Sequence, residues 1–295
     1  MIWASDYSRA YALAAAVERR GVGLHSGQDC LVRLEPGSKP GFWVGFLDQP
    51  DQEPVLLAPD QVRDTRLCTA LEIGGRPLAT VEHLLAALAG VGLTQAEIWL
   101  EGHEIPLLDG SALPWVEAIA EAGLVDLGPR APLPPLAAPI SCQSGNSFVQ
   151  ALPSDQLLLS AAIEFPQPAI GRQLFSLVLS PESFVREIAP ARTFGFKDQV
   201  EQLREAGLIQ GGALDNALVC DGDQWVNPPL RFADEPVRHK LLDLIGDLAL
   251  VGLPLAQVMA FRASHNLHTQ LAAALAASSA PLAAVTSRGD LPSVA

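Results

Sequence analysis

Residues 236–251 read Pro-Val-Arg-His-Lys-Leu-Leu-Asp-Leu-Ile-Gly-Asp-Leu-Ala-Leu-Val and predict the most strongly patterned helix of the chain. Pro236 stands in the first turn, where proline is favoured. His239, Asp243 and Asp247 recur at every fourth position, so they lie along one stripe of this helix. Leucine and isoleucine cover its other faces, which predicts burial. Because buried polar groups need partners, the stripe indicates either internal hydrogen bonds and caps or a bound metal ion.

A second acid–imidazole pair, Glu82-His83, lies far upstream in another apolar segment, residues 80–89, which also predicts a helix. A single histidine in such a helix is often a core residue, but two buried clusters of this kind together favour metal. His83, His239 and Asp243 would make a three-ligand zinc shell with an open fourth position. Glu82 beside that shell would be a general base. The residues alone indicate a metal-dependent hydrolase, with internal hydrogen bonding as the alternative.

The composition predicts a folded, acidic protein. The 295 residues are 49% hydrophobic and 18% charged, which is enough for a large core in two domains rather than one. The formal net charge of -14 makes nucleic acid and anionic membranes poor partners for the surface as a whole. An anionic substrate therefore needs a local basic patch. No apolar run approaches the ~18 residues of a membrane span, so we expect no transmembrane segment.

The sequence predicts a cytoplasmic location. The apolar stretch at residues 11–17 lacks a basic leader and follows Asp6, so we interpret it as the first strand or helix of the fold. No CxxC spacing occurs, which argues against a structural zinc site made of cysteines. Scattered buried thiols in a reducing compartment are the expected state of the four cysteines, Cys30, Cys68, Cys142 and Cys220.

The order of predicted elements indicates an α+β fold in two domains. Residues 126–140 hold five prolines, which cannot continue a helix or a central strand, so a linker lies here. We expect an N-terminal domain over residues 1–127, a linker over 128–140 and a C-terminal domain over 141–295. No sequence repeat relates the halves. The predicted helices are 80–89, 112–122, 198–206, 236–251 and 266–277, and the predicted strands are 96–102, 157–165, 173–180 and 216–220.

Other histidines are candidates of different kinds. His265 stands directly before the last predicted helix, where it is a cap, a surface residue or a general acid held cationic by a carboxylate such as Asp247. His25 lies in the glycine-rich turn of residues 21–27, a pattern that could approach phosphates. We interpret two further histidines as structural or exposed, His103 and His268.

Five segments carry a resemblance to a known family: Gly-Val-Gly-Leu-His-Ser-Gly at 21–27, Thr-Val-Glu-His at 80–83, Glu-Ile-Pro-Leu-Leu-Asp-Gly-Ser at 104–111, Ala-Arg-Thr-Phe-Gly-Phe at 191–196 and His-Lys-Leu-Leu-Asp-Leu-Ile-Gly-Asp at 239–247. In this order they resemble the UDP-3-O-acyl-N-acetylglucosamine deacetylase family, the zinc enzymes of lipid A synthesis. The resemblance covers about residues 8 to 277. It implies two related α+β domains, each a sheet layered on helices, with the active site between them.

The resemblance also implies the catalytic roles. Glu82 is the general base, His265 the general acid or electrophilic partner, and Asp247 its orienting carboxylate. Thr193 helps to stabilise the oxyanion. One Zn²⁺ per chain, or alternatively Fe²⁺, is held by His83, His239 and Asp243.

Substrate contacts follow from the same resemblance. Lys240 and Arg262 meet the charged substrate, Phe194 packs against it, and His25 lies in the glycine-rich turn. A small βαβ insert, residues 196–218, forms a passage for the acyl chain. Its candidate lining residues are Val200, Leu203, Leu214 and Ala217. The chain departs from the family pattern at Lys197, where the family is often apolar, and at Arg262-Ala263-Ser264-His265, where the family has Lys-Ser-Gly-His.

The implied activity agrees with elementary chemistry. An amide is a poor electrophile and neutral water a poor nucleophile, so metal activation and a second titratable group opposite Glu82 are needed. We expect a monomeric zinc amidohydrolase that removes acetate from UDP-3-O-acyl-N-acetylglucosamine. The alternatives are a catalytically silent sugar-nucleotide binding protein on the same scaffold and a protein with structural zinc, which would close its fourth ligand position.

Overall fold

The structure, a computed structural model, describes residue 3, residues 6–130 and residues 136–279. The chain forms two consecutive halves of strands and helices. The elements of the first half are β1 (Arg9–Leu13), β2 (Val17–Val22), β3 (Asp29–Pro36), β4 (Gly41–Phe46), β5 (Val55–Leu56), β6 (Val62–Asp64), β7 (Ala70–Ile73), β8 (Arg76–Leu78), α1 (Glu82–Gly90), β9 (Gln95–Glu101), α2 (Leu113–Ala122) and β10 (Leu124–Pro129).

The second half contains a second set of strands and helices. They are β11 (Ile140–Ser144), β12 (Ser147–Pro153), β13 (Leu158–Glu164), β14 (Arg172–Val178), the single turn α3 (Pro181–Ser183), β15 (Phe194–Phe196), α4 (Lys197–Glu205), β16 (Leu218–Asp221), β17 (Gln224–Trp225), α5 (Glu235–Leu248), β18 (Ala256–Phe261) and α6 (His265–Ser279). A π-helical turn, Phe184–Ile188, follows α3.

The first half has a five-stranded sheet with one face on the core. Its strand order is β2-β3-β9-β4-β5, in which β4 and β9 are parallel and the other pairs antiparallel. Alternate residues of β3 and β9 are buried, as expected for a sheet covered on one side. The helix α2 contacts both β2 and α1. The strand and helices predicted in this half are therefore confirmed.

The second half repeats this topology. Its sheet has the order β11-β12-β18-β13-β14, again with one parallel pair, β13 and β18. Numbered within each half, both sheets have the strand order 1-2-5-3-4. The last helix before the fifth strand is α1 in the first half and α5 in the second, and α2 and α6 follow that strand. This confirms an α+β fold of two related sheet-and-helix units. The exact domain boundaries stay a prediction.

The two halves meet where α1 of the first half packs against α5 of the second. Gly246 allows this approach, because a Cβ at that position would overlap the backbone carbonyl of Glu82. Buried apolar side chains of both halves form one continuous core around the two helices. The packing brings the acid–imidazole pair of α1 next to the polar stripe of α5.

The predicted insert has the βαβ form. β15 and β16 are parallel neighbours, α4 connects them, and β17 extends this small sheet. Its strands begin and end outside the predicted range of 196–218, at Phe194 and Asp221. No residue of α4 is fully buried, so this helix covers the small sheet from the outside.

Some predicted bounds were wrong. Gly128 and Pro129, placed in the linker, complete β10, which pairs with β1 and accommodates the proline at its end. The strand predicted to residue 180 ends at Val178, because Ser180 caps the turn that follows. The helix predicted to residue 251 ends at Leu248. The central linker residues 131–135 and the C-terminal residues 280–295 lie outside the described residues.

Candidate active site

The first turn of α1 carries Glu82 and His83. Every residue of this helix is buried, so both polar side chains are shielded from water. The backbone N–H of Thr69 donates a hydrogen bond to Glu82 Oε2 at 3.1 Å. Thr80, two residues before Glu82, has a φ of 61°, in the left-handed region that non-glycine residues rarely occupy. The chain therefore enters α1 through an unusual turn that directs these two side chains inward.

The stripe predicted on α5 is present and buried. His239, Asp243 and Asp247 all face inward. His239 and Asp243 meet His83 of α1, and the possible ligand atoms of these three residues lie within 4.8 Å of one another. Asp243 Oδ1 lies 3.3 Å from His239 Nε2 and 3.7 Å from His83 Nε2. We call these three residues the metal group.

The metal group fits a divalent cation. Asp243 Oδ1 is buried and has no hydrogen-bond partner among the described residues, although buried carboxylate oxygens rarely lack one. His239 Nδ1 lies 3.0 Å from the carbonyl oxygen of Ala191, so that nitrogen donates and Nε2 keeps its lone pair facing Asp243. A backbone partner of this kind is typical of a metal-binding histidine.

The charges of the metal group also suit a cation. Burial lowers the pKa of His83 to about 3 and lowers the pKa of His239. Burial alone would raise the pKa of Asp243, but Lys240 and the neighbouring imidazoles outweigh it and hold that pKa well below its usual value. Two neutral imidazoles and one carboxylate are a usual donor set for zinc.

Glu82 and His265 lie on either side of the space next to the metal group. His265 Nε2 is 3.9 Å from Glu82 Oε1 and 3.9 Å from Asp243 Oδ2. Burial raises the pKa of Glu82 to about 7, despite the opposing charge of His265. This places an acid and a base at the two ends of one short gap.

Asp247 holds His265, as predicted. Asp247 Oδ2 accepts from His265 Nδ1 at 2.9 Å, and Thr69 Oγ1 donates to the other carboxylate oxygen. Burial alone would lower the pKa of His265, but the carboxylates of Asp247, Asp243 and Glu82 raise it to about 9. These carboxylates therefore favour the cationic form of His265, whose Nε2 faces the gap.

A family model described as UDP-3-O-acyl N-acetylglycosamine deacetylase matches residues 10–277. The chain belongs to this family. It is therefore a hydrolytic deacetylase, and the resemblance of the five sequence segments is confirmed.

Curated relatives agree over most of the chain. The UDP-3-O-acyl-N-acetylglucosamine deacetylase of Thermosynechococcus vestitus is 50% identical, with 90% of this chain and 93% of the relative covered. The protein of the same name from Synechocystis is 46% identical, with 90% and 98% covered. A probable mitochondrial UDP-3-O-acyl-N-acetylglucosamine deacetylase of Arabidopsis thaliana is 40% identical, with 88% and 86% covered. Separately, none of the helices within the described residues of the deacetylase has the length and apolar composition to span a membrane.

Lys240 of the deacetylase sits at the edge of the metal group. Its Nζ donates to Asp243 Oδ2 at 2.5 Å, and its side chain keeps a partial exposure of 22%. The second carboxylate oxygen of Asp243 is therefore held by a cation, which leaves Oδ1 directed at the two histidines. The predicted contact of Lys240 with substrate stays a prediction.

Phe194 lies near the metal group, and Thr193 is the residue before it in the chain. The ring of Phe194 is 6.5 Å from that of His239, edge to face, and also contacts Phe165 and Phe196. The N–H of Thr193 donates to the carbonyl of Gly110 at 2.8 Å, which ties the second half to a segment of the first. The three phenylalanines form an aromatic cluster at the base of the βαβ insert.

Three further predicted substrate residues are Val200, Leu214 and Arg262. Within the residues that the structure describes, no hydrogen bond, ion pair or ring contact joins Val200, Leu214 or Arg262 to the metal group. Leu214 is 55% exposed, and Val200 is half-buried on α4. Arg262 Nη1 lies 3.6 Å from Glu164, and its φ of 48° places this residue in the left-handed region. Lys197, another departure from the family pattern, pairs with Asp221 at an exposed position.

His25 lies in a turn that Glu104 anchors. The two carboxylate oxygens of Glu104 accept from the backbone N–H groups of His25 and Ser26, and one also accepts from Thr80 Oγ1. Both ring nitrogens of His25 are buried and have no hydrogen-bond partner among the described residues. Buried imidazole nitrogens usually have a hydrogen-bond partner, so this ring is an exception within the described residues.

Sequence reasoning missed three buried residues of this site. Glu104 was noted only as part of the segment 104–111 and Thr69 not at all, since their hydrogen bonds join segments far apart in sequence. His268, interpreted as structural or exposed without further context, is buried and its Nδ1 lies 3.0 Å from Asp247 Oδ2. Its spacing of three residues from His265 on one helix was an available signal.

Proposed function

We propose that the deacetylase hydrolyses the 2-acetamido group of UDP-3-O-acyl-N-acetylglucosamine to give UDP-3-O-acyl-glucosamine and acetate, a step of lipid A biosynthesis. One observation carries the proposal: the metal group lies beside the Glu82–His265 gap, so a cation held by that group would share one small volume with a base and an acid. Together these three groups can activate water, polarise an amide carbonyl and protonate the leaving amine.

We propose Zn²⁺ as the cofactor, with Fe²⁺ as the alternative, held by His83, His239 and Asp243. The neutral imidazoles and the unpartnered Asp243 Oδ1 support a cation at this position. When bound, such an ion activates water and polarises the amide carbonyl. Three protein ligands would leave a coordination position of the ion open to water or substrate, as is usual in catalytic zinc sites.

Glu82 is the proposed base and His265 the proposed acid. Glu82 takes a proton from the attacking water on its carboxylate, which burial has made more basic than usual. His265 gives the proton on Nε2 to the departing amine, while Asp247 keeps the ring charged and oriented through Nδ1. Glu82 Oε1 and His265 Nε2 are 3.9 Å apart, so both side chains can reach neighbouring atoms of one substrate amide. Thr193 would hydrogen-bond the substrate oxygen on which negative charge develops.

Substrate binding is proposed on both sides of the gap. Lys240 and His25 would meet polar or anionic parts of the substrate, because one offers an ammonium group and the other an unpartnered buried imidazole. Phe194 would pack against the sugar or the start of the acyl chain. The insert would then hold that chain along α4, lined by Val200, Leu203, Leu214 and Ala217, with Arg262 at the outer edge.

We propose a cytoplasmic monomer. The cysteines of the chain are all free thiols, which is usual in a reducing compartment. Both histidines and the carboxylate of the metal group come from one chain, so this set of ligands is complete without a second copy.

The test is acetate release by the purified protein from UDP-3-O-acyl-N-acetylglucosamine, with a Glu82→Ala variant as the control. The proposal predicts stoichiometric acetate and UDP-3-O-acyl-glucosamine from the wild type. Substrate binding without acetate would instead identify a silent sugar-nucleotide binding protein. Bound metal with neither binding nor acetate would identify a structural metal site.

A further inference from the structure

His268 is a buried histidine that the proposed mechanism does not use. It lies one turn after His265 on α6 and is 1% exposed. Its Nδ1 lies 3.0 Å from Asp247 Oδ2, the same oxygen that His265 Nδ1 contacts at 2.9 Å. Two imidazole rings of one helix therefore share a single carboxylate oxygen of another.

The hydrogen bonds of Asp247 involve both of its oxygens. Nδ1 of each histidine lies within hydrogen-bond distance of Oδ2, and Oδ1 accepts from Thr69 Oγ1. The carboxylate is completely buried between α5 and α6, so water does not compete for these bonds. Rotation about the last torsion of an aspartate is soft, and partners on both oxygens are what fix the plane of the group.

We propose that His268 is a positioning residue for the deacetylation: its Nδ1–H holds Asp247 Oδ2 in line with His265 Nδ1, and so keeps His265 Nε2 directed at the Glu82 gap. The proposal rests on the roles of His265 and Asp247 given above. His268 does not touch the gap itself in any hydrogen bond or ion pair of the described residues. It acts through Asp247 alone.

The charges around Asp247 favour His268 as a neutral hydrogen-bond donor rather than a second cation. Two cationic imidazoles on one carboxylate would repel each other, and their ring centroids are 6.1 Å apart. Burial lowers the pKa of His268, while His265 takes the positive charge. His268 can therefore donate from Nδ1 without adding a second charge beside the acid.

The first test compares His268→Asn with His268→Leu. An asparagine amide can donate to Asp247 from nearly the same position as Nδ1, whereas leucine fills the space and donates nothing. We expect His268→Leu to lower kcat by about 10- to 100-fold with KM little changed, as for loss of a partner that orients an active group. His268→Asn should recover most of kcat.

Leu271→Ala is the matched control. Leu271 is a fully buried residue one turn further along α6, and it makes no hydrogen bond to the carboxylate. Its truncation destabilises the same helix by leaving a cavity. Unchanged kcat in Leu271→Ala beside reduced kcat in His268→Leu would separate the hydrogen bond from general loss of packing. Metal content should be the same in all these variants.

A second measurement does not depend on any variant. Nitrogen-15 NMR of histidine-labelled wild type reports which ring nitrogen carries the proton. We expect the proton of neutral His268 on Nδ1. A proton on Nε2 alone would overturn the proposal, as would wild-type kcat in His268→Leu or equal loss in His268→Asn. Wild-type turnover in His265→Ala would instead reject the proposed role of His265, and with it the mechanism on which the inference depends.

Discussion

Gly246 of α5 lies directly against the backbone carbonyl of Glu82 in α1, so closely that a Cβ on Gly246 would overlap it. The contact sets the distance between the helix that carries His83 and the helix that carries His239 and Asp243. Since the ligand atoms of these residues lie within 4.8 Å of one another, little freedom remains in the separation of the helices.

Gly246→Ala should therefore destabilise the fold and impair the site together. We expect a loss of about 1–3 kcal/mol in the free energy of unfolding, typical of overpacking, with lower metal affinity. Denaturant unfolding and metal titration measure both. Gly195→Ala is the control for stability, because a Cβ there meets open space. Equal stability of the two variants would show that the helices can move apart freely.

Glu82→Ala should keep the fold and the metal but lose activity. Glu82 lies beside a ligand of the metal group without belonging to it. Removing a general base costs about 10²–10⁴ in rate. Steady-state acetate release, with metal content measured on the same sample, checks this. Near-normal turnover would rule out Glu82 as the base.

His239→Ala and Asp243→Ala should each strongly lower bound metal. Each supplies one of three protein ligands, so the remaining two cannot compensate. Elemental analysis measures the effect, and His103→Ala, at an exposed position, is the matched histidine control. If both variants bound metal as the control does, the ligands would have to lie elsewhere.

Activity should depend on pH in a bell shape. Glu82 must be ionised and its pKa is raised to about 7, so kcat/KM falls as pH drops through that value. His265 must be protonated and its pKa is raised to about 9, so kcat/KM falls as pH rises through that value. The positive charge of a bound metal ion lowers the pKa of both Glu82 and His265, so both limbs of the kcat/KM profile move to lower pH. Because the two groups interact, the apparent values belong to the pair.

Variants of the acid test the assignment of the basic limb. His265→Ala should lower the maximum and weaken or shift this limb. Asp247→Asn should act in the same direction but less strongly, because it removes the charge that raises the pKa of His265 and leaves the ring in place. A basic limb unchanged in His265→Ala would assign that limb to another group.

The sequence predicted those parts of the site in which the helical period places reactive side chains on one face. His239, Asp243 and Asp247 share a stripe because four-residue spacing is one helical turn, and the apolar residues around them required burial. The pairing of that stripe with Glu82-His83 was predicted from residue types. The topological repeat of the halves was expected only from the family resemblance, since the two sequences show no repeat.

Other features depend on contacts that no local pattern contains. The bonds of Glu104 to the turn of His25 and of Thr69 to Asp247 join distant segments. The ion pair of Lys240 with Asp243, three residues along the same helix, was also not predicted, and the contact of Lys240 with substrate stays a prediction. The extra strand residues of the insert are too few to show a period, which is why its bounds were misplaced.

The central claim is that one metal ion, held by residues of both halves, is required for deacetylation. Its most direct test is titration of Zn²⁺ or Fe²⁺ into the metal-free protein while acetate release is followed. We predict no release without metal, and a rise that ends at one ion per chain. Undiminished acetate release from the metal-free protein would contradict the account.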